Sequence, residues 1–154
     1  MKSAEKHGKV IAVNRKARHD YFIEETYEAG ISLYGTEVKS IREGKVNLKD
    51  SYCSIKKGEI YAVGVHISPY EKGNIFNRDP MRDKKLLMHN KEILKLFQYI
   101  SRDSYTLVPL SLYFSGSNVK MEIGLCKGKK LWDKRETDAK ASANREIEQE
   151  SKYR

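Results

Sequence analysis

The 154-residue chain has little cysteine, proline or tryptophan: two, three and one residues respectively. Two cysteines, Cys53 and Cys126, cannot build a disulfide framework. Both fall in strand-like runs and read as small buried thiols in a reducing compartment. No apolar run approaches the roughly 18 residues that suggest a membrane span, and the opening "MKSAEKHGKV" has no apolar signal core. A soluble cytoplasmic protein with no membrane partner is expected. Catalytic signatures are also missing, with no GxSxG, HExxH, Walker lysine loop or GxGxxG. The Gly-Lys pairs at 8–9, 44–45 and 128–129 lack the rest of a phosphate loop. His7, His19, His66 and His89 are scattered, and neither cysteine has a CxxC partner. No enzyme activity, metal or cofactor is therefore expected.

What is abundant is positive charge and tyrosine. Thirty Lys and Arg against 21 Asp and Glu leave a net charge of +9, with a pI near 9.4. Such a surplus suits an anionic partner. Ten tyrosines among the cations favour RNA, whose exposed bases stack on rings. The cations fall into three groups: Arg15, Lys16 and Arg18 ahead of Tyr21 and Phe22; Lys39, Arg42, Lys45 and Lys49; and Lys127, Lys129 and Lys130, ending at Trp132. Near aromatics or turns, these groups fit phosphate contacts beside stacking rings better than a merely solvated face.

Alternating apolar residues predict about six strands. After the short apolar run Val10–Val13 and the basic knot at 15–19, "YFIEETYEAGISL" reads as a long strand with a bend at Gly30. "GTEVKSIREG" reads as a two-turn helix, with Thr36 as N-cap, Gly44 as its stop, and Val38 and Ile41 facing inward. "SYCSIKKGEIYAVGVHI" is a hairpin turning at Lys57-Gly58, with Tyr61, Val63, Val65 and Ile67 on one face. Residues 68–85 read as a long exposed loop. "NKEILKLFQYISRD" is a helix capped by Asn90, with Ile93, Leu96, Phe97 and Ile100 as its buried stripe. A last hairpin turns at 115–118. The expected fold is mainly β: an OB-like, antiparallel six-stranded barrel with two to three short flanking helices.

The tail has a different character. From 133 to 154 the only aliphatic residue larger than Ala is Ile147, too little to offset backbone ordering. The expected organisation is a mobile N-terminus at 1–8, an RNA-binding barrel at 9–130 and a tail at 131–154, disordered when free. Trp132 stands at the mouth of this tail among Lys129, Lys130, Asp133, Lys134 and Arg135. It either folds back on the barrel or stacks on a nucleobase. The acidic trio Glu24, Glu25 and Glu28 has three readings. It is a solvated strand face, or Glu24 and Glu28, on one face of the strand, form a metal-dependent nuclease site with Asp79, or Glu28 accepts hydrogen bonds from base amines.

Three blocks carry a resemblance: "NRKARHDYFIEETYEAGISLYGTEVKSIREGKVNLKDSY", "RDPMRDKKLLMHNKEI" and "LYFSGSNVKMEIGLCKGKKLWDKRET". Together, over roughly residues 9 to 137, the chain resembles the small protein B (SmpB) family, the transfer-messenger RNA (tmRNA) binding proteins of bacterial ribosome rescue. The resemblance implies an OB-like barrel that binds the tRNA-like domain of tmRNA and enters ribosomes stalled without a codon, enabling trans-translation. By motif match the tmRNA-binding residues would be Asn14, Arg15, Lys16, Arg18, His19, Tyr21, Glu28, Lys39, Leu87 and His89. Leu87 reads equally as a core residue shaping that surface. Lys129, Lys130, Trp132, Asp133, Lys134 and Arg135 would reach the small-subunit decoding centre, and the tail would enter the empty mRNA channel. Implied partners are tmRNA, the ribosome and, through charged tmRNA, elongation factor Tu and alanyl-tRNA synthetase, with the protein itself a monomer. Two tail positions depart from the family pattern. Asp138 stands where an aliphatic is common and Ala143 where a tryptophan is common, which weakens any docking helix. Beside this adaptor stand two other readings: a generic single-strand RNA-binding chaperone, and the nuclease.

Overall fold

The computed structural model describes residues 9–71 and 77–129. In chain order the elements are β1 (Val10–Val13), α1 (Arg15–Asp20), β2 (Tyr21–Ile31), α2 (Gly35–Arg42), β3 (Val46–Asn47), β4 (Tyr52–Lys56), β5 (Glu59–Val63), β6 (His66–Ile67), β7 (Lys84–Leu87), α3 (Asn90–Asp103), β8 (Thr106–Ser115) and β9 (Asn118–Gly128). Every strand pairing is antiparallel, and six strands close on themselves in the cyclic order β8-β4-β5-β7-β2-β9. The ring is the expected six-stranded, OB-like barrel. Closure leaves it no free edge. β1 adds to β8 from outside the ring, and β3 with β6 forms a separate two-stranded ribbon.

The interior follows from strict alternation. On β9, Val119, Met121, Ile123 and Leu125 all point inward and are buried. They meet Ala29 and Ile31 of β2, Ile60 and Ala62 of β5, and Leu107 and Leu112 of β8 in one core, to which α3 contributes Ile93 and Leu96. Each large aliphatic side chain removed from water contributes about 1.5–3 kcal/mol. The β4–β5 hairpin turns at Lys57 and Gly58, both with positive φ (52° and 76°), as a two-residue hairpin of this twist requires.

The structure corrects several local expectations. The face of β5 inverts at Gly64: Ile60 and Ala62 are buried, and so are Val65 and Ile67. Gly64 has φ +81°, and a Cβ there would lie 3.2 Å from the Asp50 carbonyl oxygen, so only glycine permits the change of phase. The irregularity in β2 lies between Ile23 and Glu25, not at Gly30. Gly30 instead marks where β2 changes partner from β9 to β7. The cap of α2 is Tyr34, not Thr36, because Glu37 Oε1 accepts the Tyr34 N–H at 2.8 Å. The cap of α3 is His89, one residue before Asn90. Phe97 is 49% exposed rather than buried, since the barrel mouth accepts only Ile93 and Leu96 of that stripe fully.

The expected loop at 68–85 ends in strand β7, whose sequence "KKLL" hides a buried lysine. Lys84 is fully buried and donates to the carbonyls of Val65 (2.5 Å) and Pro80 (2.9 Å). Arg82 pairs with Glu37 through Nε–Oε2 (2.9 Å) and a second guanidinium nitrogen to Oε1 (2.5 Å), and it also donates to Ser32 O. These bonds pin Arg82 onto α2 and the residue after β2, and Lys84 onto the residue before β6.

The basic knot at 15–19 is helical, which the sequence pattern did not reveal. One turn and a half of helix buries a single side chain, Ala17, against Val108, Leu110 and Cys126 on the outer face of β8 and β9. Gly124 lies beneath: a Cβ there would sit 2.9 Å from Leu110 Cδ1 and 3.0 Å from Cys126 Sγ. The absence of a side chain at 124 thus lets Leu110 settle under the helix.

Candidate nucleic-acid interface

Asn14 precedes α1 and is buried. Its Oδ1 accepts the Ala17 N–H at 3.1 Å, capping the helix, while Nδ2 donates to Pro109 O (2.9 Å) and Leu48 O (3.2 Å). Its own N–H donates to Leu110 O at 2.7 Å. Asn14 therefore fastens α1 to the barrel from inside. Outward from this anchor stand Arg15, Lys16 and Arg18, all exposed, with His19 and Tyr21 half-buried. Lys16 pairs with Asp50 at 2.7 Å. The hydrogen bond and charge of Asp50 raise the lysine's pKa, and the reciprocal effect lowers that of Asp50. His19 Nδ1 lies 2.9 Å from Asp20 Oδ1.

The end of β9 arrives at the same place. The Lys129 N–H donates to Asp20 O (2.8 Å), its Nζ approaches Arg18 O (3.4 Å) and lies 5.2 Å above the half-exposed Phe22 ring. Lys127 lies 4.7 Å above Tyr105. Lys129, far from α1 in sequence, thus joins it beside the Phe22 ring, whereas Lys127 shares the parity of Ile123 and Leu125 and meets Tyr105, which packs on the main core.

A second region gathers at the other end of β2. A cleft there is lined by Glu28, Lys85, Leu87, His89 and Lys120. Glu28 faces Glu122 across the β2–β9 ladder and accepts a hydrogen bond from the Tyr113 hydroxyl. Leu87 is 57% exposed, so it is not a core residue; it lies over Gly30, where an added Cβ would meet it at 3.2 Å. Seven residue steps along β2 separate Tyr21 from Glu28, roughly 23 Å at about 3.3 Å per step. The candidate RNA-binding residues therefore form two patches rather than one. Lys39 belongs to neither: on α2 it lies 5.4 Å above the Tyr70 ring. Lys85, Lys120 and Tyr113 were missed by sequence reasoning, because only the pairing of β7 with β2 and β5 brings Lys85 and Leu87 beside Glu28.

Among the described residues no group of three or more His, Cys, Asp and Glu could hold a metal ion. Glu24, Glu28 and Asp79 do not come together. Glu24 sits at the irregularity of β2, Glu28 is engaged by Tyr113, and Asp79 accepts the Met81 N–H just before the pinned Arg82. The buried thiols are held above their ordinary pKa by desolvation, Cys126 at about 11, and so are poor nucleophiles. Lys130, Trp132, Asp133, Lys134 and Arg135 lie outside the described residues, as do Asp138 and Ala143.

A closed six-stranded barrel bearing clustered cations and rings has the make-up of an RNA-binding protein. The family model described as "SmpB protein" matches residues 11–153, and the chain belongs to that family. Its relatives include SsrA-binding proteins from Acetivibrio thermocellus, 62% identical over 149 residues (97% of each chain), and Clostridium tetani, 59% identical over 146 residues (95% of this chain, 94% of the other). A chain of a solved structure described as "tmRNA-SmpB: a journey to the center of the bacterial ribosome" matches with a TM-score of 0.67 and 48% identity, covering 80% of this chain and 87% of that one.

Proposed function

We propose that this chain is a non-catalytic adaptor that binds the tRNA-like domain of tmRNA and delivers it to stalled ribosomes for trans-translation. The observation that carries the reading is the α1 platform. Arg15, Lys16 and Arg18 project from a helix that Asn14 and Ala17 hold rigidly to the barrel, and Lys129 and Phe22 complete the surface. A helix already fixed to the barrel costs no backbone ordering on meeting phosphates, and the adjacent ring offers stacking. The cleft with Lys85, Leu87, His89 and Lys120 supplies further phosphate and base contacts, and Glu28 accepts from base amines. Asn14 acts by positioning α1 and does not touch RNA, and Lys39 contributes at a separate place.

The described chain ends beside α1, at Lys129. In this reading Lys129, Lys130, Trp132, Asp133, Lys134 and Arg135 serve the decoding centre, and residues 131–154 enter the empty mRNA channel. The protein works as a cytoplasmic monomer, meeting elongation factor Tu and alanyl-tRNA synthetase only through charged tmRNA.

The test is equilibrium binding of the full chain to the tRNA-like domain and to an unstructured RNA of equal length across a salt series. Each of Arg15→Ala, Lys16→Ala and Arg18→Ala is expected to weaken binding to the tRNA-like domain and to reduce the salt slope by about 1. Unchanged slopes would remove α1 from the interface. Equal affinity for both RNAs would make the protein a generic RNA chaperone.

A further inference from the structure

Glu28 is an unusual residue for a surface that binds a polyanion, and it stands opposite a second carboxylate, Glu122, on the neighbouring strand. Like charges facing each other across a ladder repel, and each repels phosphate. A third strand supplies the compensation. Tyr113 of β8 faces Lys120 of β9, and its hydroxyl crosses β9 to donate to Glu28 of β2. The Tyr113 ring is fully buried, so its hydroxyl has little freedom to leave Glu28. Burial, and then the Glu28 carboxylate, push the phenol well above its ordinary pKa, which favours the donor form of the hydroxyl.

We propose that Tyr113 is the positioning residue that fixes the Glu28 carboxylate as a hydrogen-bond acceptor for RNA donor groups, the amino or imino groups of an unpaired base, and so confers selectivity on the cleft. The ligand class follows from the chemistry. An ionised carboxylate has only acceptor capacity, and it faces a cleft lined also by Lys85, His89, Asn90 and Lys120 and by two more carboxylates, Glu92 and Glu59, the latter paired with Lys85 at 3.0 Å. The lysines attract phosphate without regard to sequence, whereas a fixed carboxylate rewards a base that offers donors and penalises phosphate alone. The proposal rests on the reading of this cleft as an RNA-binding region.

The experiment is a double-mutant cycle in the full chain with Tyr113→Phe and Glu28→Ala, read as affinity for the tRNA-like domain and for unstructured RNA, with thermal melts alongside. Tyr113→Phe keeps the ring and removes only the donor. It is expected to weaken binding to the tRNA-like domain about tenfold, within the range of one charge-assisted hydrogen bond. The salt slope should not change, because no phosphate contact is lost. In the Glu28→Ala background the same substitution should have no further effect on affinity. A purely structural role would lower affinity equally in both backgrounds, and that result overturns the proposal. If Glu28→Ala weakens binding but Tyr113→Phe does not, the positioning role fails while the cleft stands. If Glu28→Ala leaves selectivity unchanged, the cleft is not part of the interface, and the role of Tyr113 fails with it.

Discussion

Replacing Asn14 should do more damage than replacing any of the exposed cations it supports. In Asn14→Ala the helix loses its capping acceptor, a cost of about 1 kcal/mol. The carbonyls of Pro109 and Leu48 also lose the buried donor that satisfied them, at 2.9 and 3.2 Å. An abandoned buried acceptor costs about 1–3 kcal/mol, less where water can enter. Together these come to about 2–4 kcal/mol. At about 4 °C per kcal/mol for a domain of this size, the melting temperature should fall by about 8–16 °C. Asn14→Asp sharpens the test. One carboxylate oxygen can still cap Ala17, but the other would face two carbonyl oxygens, so the folded state favours the protonated acid. A carboxyl whose folded pKa is raised contributes stability below its unfolded pKa of about 3.9 and loses it as pH rises through the folded value. Relative to the wild type, Asn14→Asp should therefore become progressively less stable from about pH 4 to pH 8. Circular dichroism melts across that range measure both variants. A melting temperature for Asn14→Ala within about 2 °C of wild type, or an Asn14→Asp deficit that does not grow with pH, would refute the anchoring role.

Three further predictions follow from the packing. Gly124→Ala drives a methyl into Leu110 and Cys126, which should cost about 1–3 kcal/mol and weaken RNA binding by lifting α1; unaltered affinity would show that α1 does not depend on this contact. Arg82→Met leaves Glu37, only 6% exposed, without its bidentate partner. Because Arg82 itself is 24% exposed, the expected loss is about 2–3 kcal/mol, below the range for a fully buried pair, and denaturant titration would measure it. Burial lowers the Lys84 pKa from 10.5 to about 8. The unfolded chain therefore holds this proton more tightly, so wild type should gain stability relative to Lys84→Met between about pH 8 and 10.5. A difference in melting temperature that stays constant across that window would contradict this.

The barrel was legible because alternation is a local signal. Val119, Met121, Ile123 and Leu125 announce their inward face without reference to any other strand, and Lys57-Gly58 announces its turn. What escaped depends on long-range partners. Nothing in "RKARHD" shows that one alanine will dock over a glycine at position 124, so the helix there was invisible. "KKLL" reads as the end of a basic loop until β2 and β5 flank it, when Lys84 turns inward and Leu87 outward. The inversion at Gly64 was missed because a two-residue period was carried through a positive-φ glycine. The cations of α1 were identified by their clustering in the sequence and by the motif match. Their union with Lys129, and their separation from Glu28 and His89, are consequences of how β9 runs along the whole length of β2.

The most direct test is to map backbone amide chemical-shift changes on the full chain while the tRNA-like domain of tmRNA is titrated in. Expected are changes at residues 15–22 together with 85–89 and 120, all saturating with a single dissociation constant, while the exposed side of α3 at Leu94 and Phe97 stays unperturbed. Changes confined to one end of β2, two regions that titrate with different constants, or a response centred on Leu94 and Phe97 would contradict a single RNA held at both ends of that strand.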